Sequence, residues 1–142
     1  MAIVSVYDHT RSRFMSGANA VGDSYGITLY TTLPFIEGAT TKSAAEAGAT
    51  QVATANGYTQ NAKLLTGVAV TIEDVFYGTF NADSVIWTAT GGSISAGFAL
   101  LYNDTDTNDP PLAHIDFDGT VTALDGDPFQ IIWDSLGIFR LG

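Results

Sequence analysis

Residues 113–120 read AHIDFDGT, and their two carboxylates, Asp116 and Asp118, stand two positions apart at the end of an apolar run. In phosphoryl transfer such a pair divides the labour: one aspartate attacks phosphorus and the other moves the proton as acid and base. That chemistry needs a parallel strand, buried on both faces, that carries both side chains to the carboxyl edge of a doubly wound sheet. It also needs a lysine and further acids downstream to hold magnesium and balance phosphate charge. Only residues 119–142 follow Asp118; they contain no lysine and read as strands.

The alternation in PLAHIDF argues against that arrangement. It puts Ala113, Ile115 and Phe117 on one face and Leu112, His114 and Asp116 on the other, as in a half-buried antiparallel strand. Asp116 then points sideways, and Asp118-Gly119 turns the chain. The likeness to the opening motif of the haloacid dehalogenase superfamily is thus a short-motif coincidence, and no catalytic residue is expected.

A second acidic stretch, NDTDTNDPP at 103–111, spaces Asp104, Asp106 and Asn108 as the opening of a calcium loop does. The pattern then fails. Asp109 stands where the sharp-turn glycine belongs and Ile115 where the bidentate acid would be, so Asp104, Asp106 and Asp109 form only a weak calcium candidate beside the reading of a solvated hairpin loop closed by Pro110-Pro111. His9 and His114, the two histidines, have no triad or metal-ligand spacing. No Gly-rich phosphate loop is present, and no cofactor is expected. Trp87 and Trp133 alternate with polar positions and read as core.

The elements that would carry these residues are strands. Val85, Trp87 and Ala89 share a face, as do Val68, Val70 and Ile72, and Phe129, Ile131 and Trp133. Asn56-Gly57, Gly91-Gly92, Asp118-Gly119 and Asp125-Gly126 punctuate them as turn dipeptides. Strands are expected near 2–7, 26–33, 64–72, 74–80, 83–90, 95–102, 111–117, 128–134 and 136–141. TTKSAAEAGA at 40–49 alone looks helical, too short and polar to build a core. The fold class is therefore all-β: a single-domain antiparallel sandwich or barrel-like body over 17–142 with at most one short helix, preceded by an arm at 1–16.

Composition agrees. The 142 residues are 46% apolar and only 14% charged, with 15 glycines and no cysteine, so no disulfide, thiolate metal site or thiol nucleophile is available. The formal charge of −10 is lopsided: residues 1–72 hold four acids and four bases, whereas 73–142 hold eleven acids against Arg140 alone. Such a half repels phosphate backbones and anionic lipid, which disfavours nucleic-acid and membrane partners. The uncharged run 84–103 is broken by glycines and hydroxyl residues, so a membrane-spanning helix is not expected. MAIVSVYDHTRSRF puts its apolar stretch before its arginines and so does not read as a secretion signal.

Four stretches in this order, ANGYTQNAKLLTGVAV at 55–70, ADSVIWTATGGSISAGFALLYND at 82–104, PLAHIDF at 111–117 and PFQIIWDSLGIF at 128–139, resemble a family of small virion structural proteins of tailed bacteriophages. YGITLYTTLPF at 25–35 extends the likeness more weakly. Family members often carry further glycines after the Gly-Tyr-Thr step and a basic residue before the aromatic of the long central strand, where this chain has Gln60-Asn61 and Ala96-Gly97. The resemblance implies a non-enzymatic capsid decoration, or cement, protein on the outer surface of the head. It would bind the major capsid protein and copies of itself, with a trimer suspected. Within that expectation Ile3, Arg11, Arg13 and Phe14 of the arm are candidate capsid or subunit contacts. A tail or head-fibre component is the alternative, followed by a carbohydrate-binding sandwich with Tyr30, Tyr58 or Tyr102 as sugar platforms.

Overall fold

A computed structural model describes residues 2–74 and 77–141 of the chain. Among them are eleven strands and two short helices: β1 (Ile3–Val6), α1 (Thr10–Met15), β2 (Tyr25–Thr32), α2 (Lys42–Ala45), β3 (Thr50–Gln51), β4 (Lys63–Leu64), β5 (Ala69–Asp74), β6 (Tyr77–Asn81), β7 (Val85–Thr88), β8 (Ile94–Asn103), β9 (Pro111–Ala123), β10 (Pro128–Ile131) and β11 (Phe139–Leu141). A six-stranded sheet runs β1-β9-β8-β2-β3, with β4 also paired to β2. Two smaller sheets, β10-β7 and β11-β6-β5, complete the set. Every pairing is antiparallel, so the all-β expectation holds.

Period-two patterning sets the layers. Ile27 and Leu29 of β2, Ala99 and Leu101 of β8, and Ala113 and Ile115 of β9 point to one side of the large sheet, where they meet Phe80, Trp87, Phe129, Ile131 and Phe139 from the small sheets. Phe80 stacks on Phe139 with centroids 5.0 Å apart, and Tyr25 meets Phe80 edge-on at 5.1 Å. The alternate residues Tyr30, Leu100 and Tyr102 form a second core on the opposite face with Tyr7, Leu33, Ala39 and Ala45. Residues 33–49, including α2, therefore cover the side of the sheet that a simple sandwich would leave wet. The half-buried reading of PLAHIDF is corrected accordingly: residues 111–115 are buried throughout.

Other differences have local causes. Helix α1 makes the helix count two where at most one was expected. Six residues are too few for a periodic signal, and His9 at the N-cap gives no side-chain cap. Tertiary contacts hold this turn instead: Thr10 Oγ1 donates to Leu112 O at 2.9 Å, and Phe14 packs on Phe80 and Phe139. Helix α2 falls inside the expected 40–49 and is capped by Thr41 Oγ1, which accepts from Ala44 N. The strand expected at 64–72 is two strands. Gly67 lies between them at φ +64, with the Asp83 carboxylate about where its Cβ would go, and the chain changes sheets there. Residues 75 and 76 of the strand expected at 74–80 lie outside the described residues.

Asp118-Gly119 is the clearest correction among the turns. β9 runs on to Ala123, and between the pairs Phe98↔Asp116 and Ala96↔Val121 the single residue Gly97 faces four on β9. Asp118 (φ 58) and Gly119 (φ 121) adopt left-handed backbone that absorbs the excess as a bulge. By contrast Asn56-Gly57 forms the expected tight turn, with Ala55 and Tyr58 exchanging both backbone hydrogen bonds.

Five tyrosines, Tyr7, Tyr25, Tyr30, Tyr58 and Tyr102, are buried, and burial raises each phenol above its ordinary value, Tyr7 to about 12. An unfolded phenol ionises near pH ~10, so above that pH the unfolded chain sheds protons that the folded chain keeps. The stability these phenols lend is complete below that point and is lost as pH climbs through the folded values. Melting temperature is expected to be level up to about pH 9 and to drop steeply over the next two to three units. Phenolate absorbance should appear together with loss of near-ultraviolet circular dichroism. A phenolate signal from all six tyrosines near pH ~10 in a still-folded protein would contradict the burial.

Candidate functional site

The Asp116/Asp118 pair sits on an antiparallel strand, not on the parallel sheet that its phosphoryl-transfer chemistry requires. Asp116 Oδ1 accepts from Asp118 N at 2.8 Å, so the first carboxylate braces the bulge that holds the second. Asp118 is exposed and Asp116 half-buried.

Both histidines point at backbone carbonyls. His9 Nε2 lies 2.8 Å from Pro111 O, and His114 Nε2 lies 2.7 Å from Leu33 O, so each ring donates from Nε2. His114 is buried between Phe35 and Phe98, at centroid distances of 5.4 and 5.6 Å. It ties β9 to the covering segment 33–49. His9 ties the start of α1 to the first residue of β9.

The 103–109 loop is built around Asn103, which is fully buried. Its Nδ2 donates to Asn19 Oδ1 and Asp23 Oδ2, at 2.9 and 3.0 Å, while its Oδ1 accepts from the amides of Thr105 and Asp106. Of the calcium candidates, Asp106 is committed on both oxygens: Oδ1 accepts from Asn108 N, and Oδ2 pairs with Arg13 at 3.1 Å. The Asn108 amide, followed by the Arg13 guanidinium, holds the Asp106 carboxyl below the usual range. A guanidinium thus stands where a metal would meet this side chain. Asp109, at φ 46, is held above the usual range by burial, then by Asp104. Among the described residues no three acid or histidine side chains converge as a metal site would require.

The arm residues divide into two pairs. Arg13 is used internally by Asp106, Asn19 Oδ1 and Ala18 O, and Phe14 is packed in the main core. Ile3 is 56% exposed, and Arg11 is exposed with no bonded partner among the described residues. Ile3 and Arg11 are therefore the members of the set free to meet another molecule. The segment itself is laid into the body: β1 pairs with β9 from Ile3↔Asp116 to Val6↔Ala113.

The sugar-platform residues are consumed by the fold. Tyr30, Tyr58 and Tyr102 are buried; Tyr30 donates to Glu46 Oε2, the Tyr58 hydroxyl accepts from Leu29 N, and Lys42 Nζ lies 5.3 Å above the Tyr102 ring. Trp87 is core, and Trp133, half-buried, donates Nε1 to Asp83 O. An open cleft of about 380 Å³ lies between α2 and residues 107–109, with Lys42, Glu46, Asn108 and Asp109 on its walls. Lys42 and Glu46 neutralise each other at 3.0 Å, which leaves Asp109 as its outstanding charge. No helix among the described residues is long and apolar enough to cross a membrane.

Asn103, rather than the aspartates around it, is what this loop depends on, and nothing in the spacing of the acids marked it. Asn103→Ala would leave the amides of Thr105 and Asp106 without their acceptor and remove one of the donors to Asn19 and to Asp23, and is expected to cost about 2–4 kcal/mol in denaturant unfolding. Asp104→Ala, at an exposed position, should stay within about 0.5 kcal/mol. Equal effects would show that the loop is held in another way. Compared with known proteins, the chain matches no family model, no curated protein and no solved structure.

Proposed function

We propose that the chain is a non-enzymatic virion structural protein of a tailed bacteriophage, a capsid decoration protein that adheres across subunit joints of the expanded head. The sequence stretches given above suggest the family. The observation that carries the adhesive reading is where the reactive and ligand-reading groups go: both histidines, Asp106, Tyr30 and Tyr58 are bound up in bonds that hold layers together, and Tyr102 is buried. Exposed aliphatic side chains, Ile3, Ile132 and Leu136 among them, remain available for contact. A cement protein runs no reaction; local interfaces of about 800 Å² per partner suffice when many copies act on one shell. The acid-rich second half would discourage aggregation between particles. A tail or head-fibre role uses the same fold and differs in copy number.

Purified protein added to expanded heads of the phage that encodes it is expected to bind saturably at hundreds of copies and to raise the temperature at which heads release DNA. Removing residues 2–14 is a poor probe, because it also removes β1 and the Phe14 packing. Ile3→Thr combined with Arg11→Glu spares both, sets no like charge opposite Asp116, and should lower occupancy several-fold with little change in melting temperature. A handful of copies at a tail structure would select the alternative, and full occupancy by the double variant would free these residues of a contact role.

A further inference from the structure

β1 ends the six-stranded sheet, and its outer edge is unpaired among the described residues. The register shows which groups face out. Tyr7 N donates to Leu112 O at 3.0 Å, and antiparallel ladders alternate, so Ser5 and Ile3 also bond to β9 while Val4 and Val6 turn their N–H and C=O groups outward. Sheet edges are normally blunted by lysine, proline or a bulge. IVSV has none of these.

Beside this edge the two layers splay apart over an apolar crevice of about 100 Å³, lined by Ala2, Val4, Ile131, Ile132, Trp133 and Ile138. That is room on the scale of one branched aliphatic side chain, since a cavity of about 150 Å³ admits benzene. Ile132, 73% exposed, stands at its mouth. Carboxylates surround the edge: Asp134 is in the crevice wall, Asp116 lies opposite Ile3 and Asp8 follows the strand. Arg11 is the nearest base along the chain.

We propose that β1 receives an extended segment of another protein as a further antiparallel strand, one that alternates apolar residues with lysine or arginine. Its backbone would bond to Val4 and Val6, an apolar side chain would fill the crevice on the Val4 face, and its cations, on the opposite face beside Ile3, would lie toward Asp116. The charge pattern disfavours a second copy in this place. Two β1 strands joined through Val4 and Val6 would centre on Ser5 and bring Asp8 of one copy, with Glu37 O held on its amide, toward Ala2 and Asp134 of the other. The inference stands independently of the capsid reading, because it concerns an edge and its charge and needs no particular shell.

The test passes two pools of seven-residue peptides over immobilised protein. Both carry valine, isoleucine or leucine at alternate positions; the others are lysine or threonine in one pool and glutamate or threonine in the second. The lysine pool is expected to be retained about tenfold better, the equivalent of about 1.4 kcal/mol. Its retained peptides should shift the amide resonances of Ala2, Val4 and Val6. Val6→Pro removes an outward N–H without breaking the β9 ladder and should abolish retention. Ile132→Lys, at an exposed position, should weaken it at least several-fold and keeps the test decisive if the proline variant unfolds. Equal or absent retention of the pools, or retention unaffected by Ile132→Lys, would overturn the proposal. So would concentration-dependent dimerisation through β1, which would make a second copy the occupant.

Discussion

The structure depends on a sheet whose central strands are covered on both faces. Most of β2 and β8 is enclosed between the main core and the cover formed by residues 33–49, so the buried polar groups on those strands must find partners inside the protein. Thr28 meets the Tyr30 hydroxyl at 2.9 Å, Tyr30 donates to Glu46, and Glu46 pairs with Lys42 at the surface, a chain that leads from a fully buried hydroxyl out to solvent. His114 does the same work for β9 through Leu33 O. Asn103 does it at the end of β8, where the sheet gives way to a loop.

This arrangement explains which parts of the fold were legible in the sequence. Alternation at Val85, Trp87 and Phe129, Ile131 marked real strands, because those strands keep one face toward solvent. The same rule misread 111–117, since a loop that arrives from far along the chain covers the second face and leaves no trace in local periodicity. Turn dipeptides were sound signals of left-handed backbone, as at Asn56-Gly57, yet could not tell a reversal from a bulge at Asp118-Gly119. Helix α1 was invisible because its stability resides in Thr10 and Phe14 contacts with strands remote in sequence.

The candidate site was legible as residue types and not as roles. Clustered aspartates at 104–109 suggested an ion, whereas the partner of Asp106 is Arg13, 93 positions earlier. Both histidines, with Tyr30 and Tyr58 read from the sequence as sugar platforms, serve as fasteners between layers. What the sequence could not announce was the edge of β1: four uncharged residues look ordinary until the topology shows that, among the described residues, no strand pairs with their outer side. On the reading proposed here, a molecule whose polar side chains are spent on its own integrity has its outline, its edges and its net charge left with which to engage others.

The pairing of β1 with β9 carries a consequence for biogenesis. β1 has as its ladder partner a strand made only after β2 to β8, and α1 and Phe14 wait on β11 as well. The segment from β1 to α1 therefore remains unsatisfied while those strands are made, and closure of the large sheet is an event of high contact order, slow beside the local hairpins β5-β6 and β8-β9. During that interval an extended apolar strand is open to chaperones and to neighbouring nascent chains.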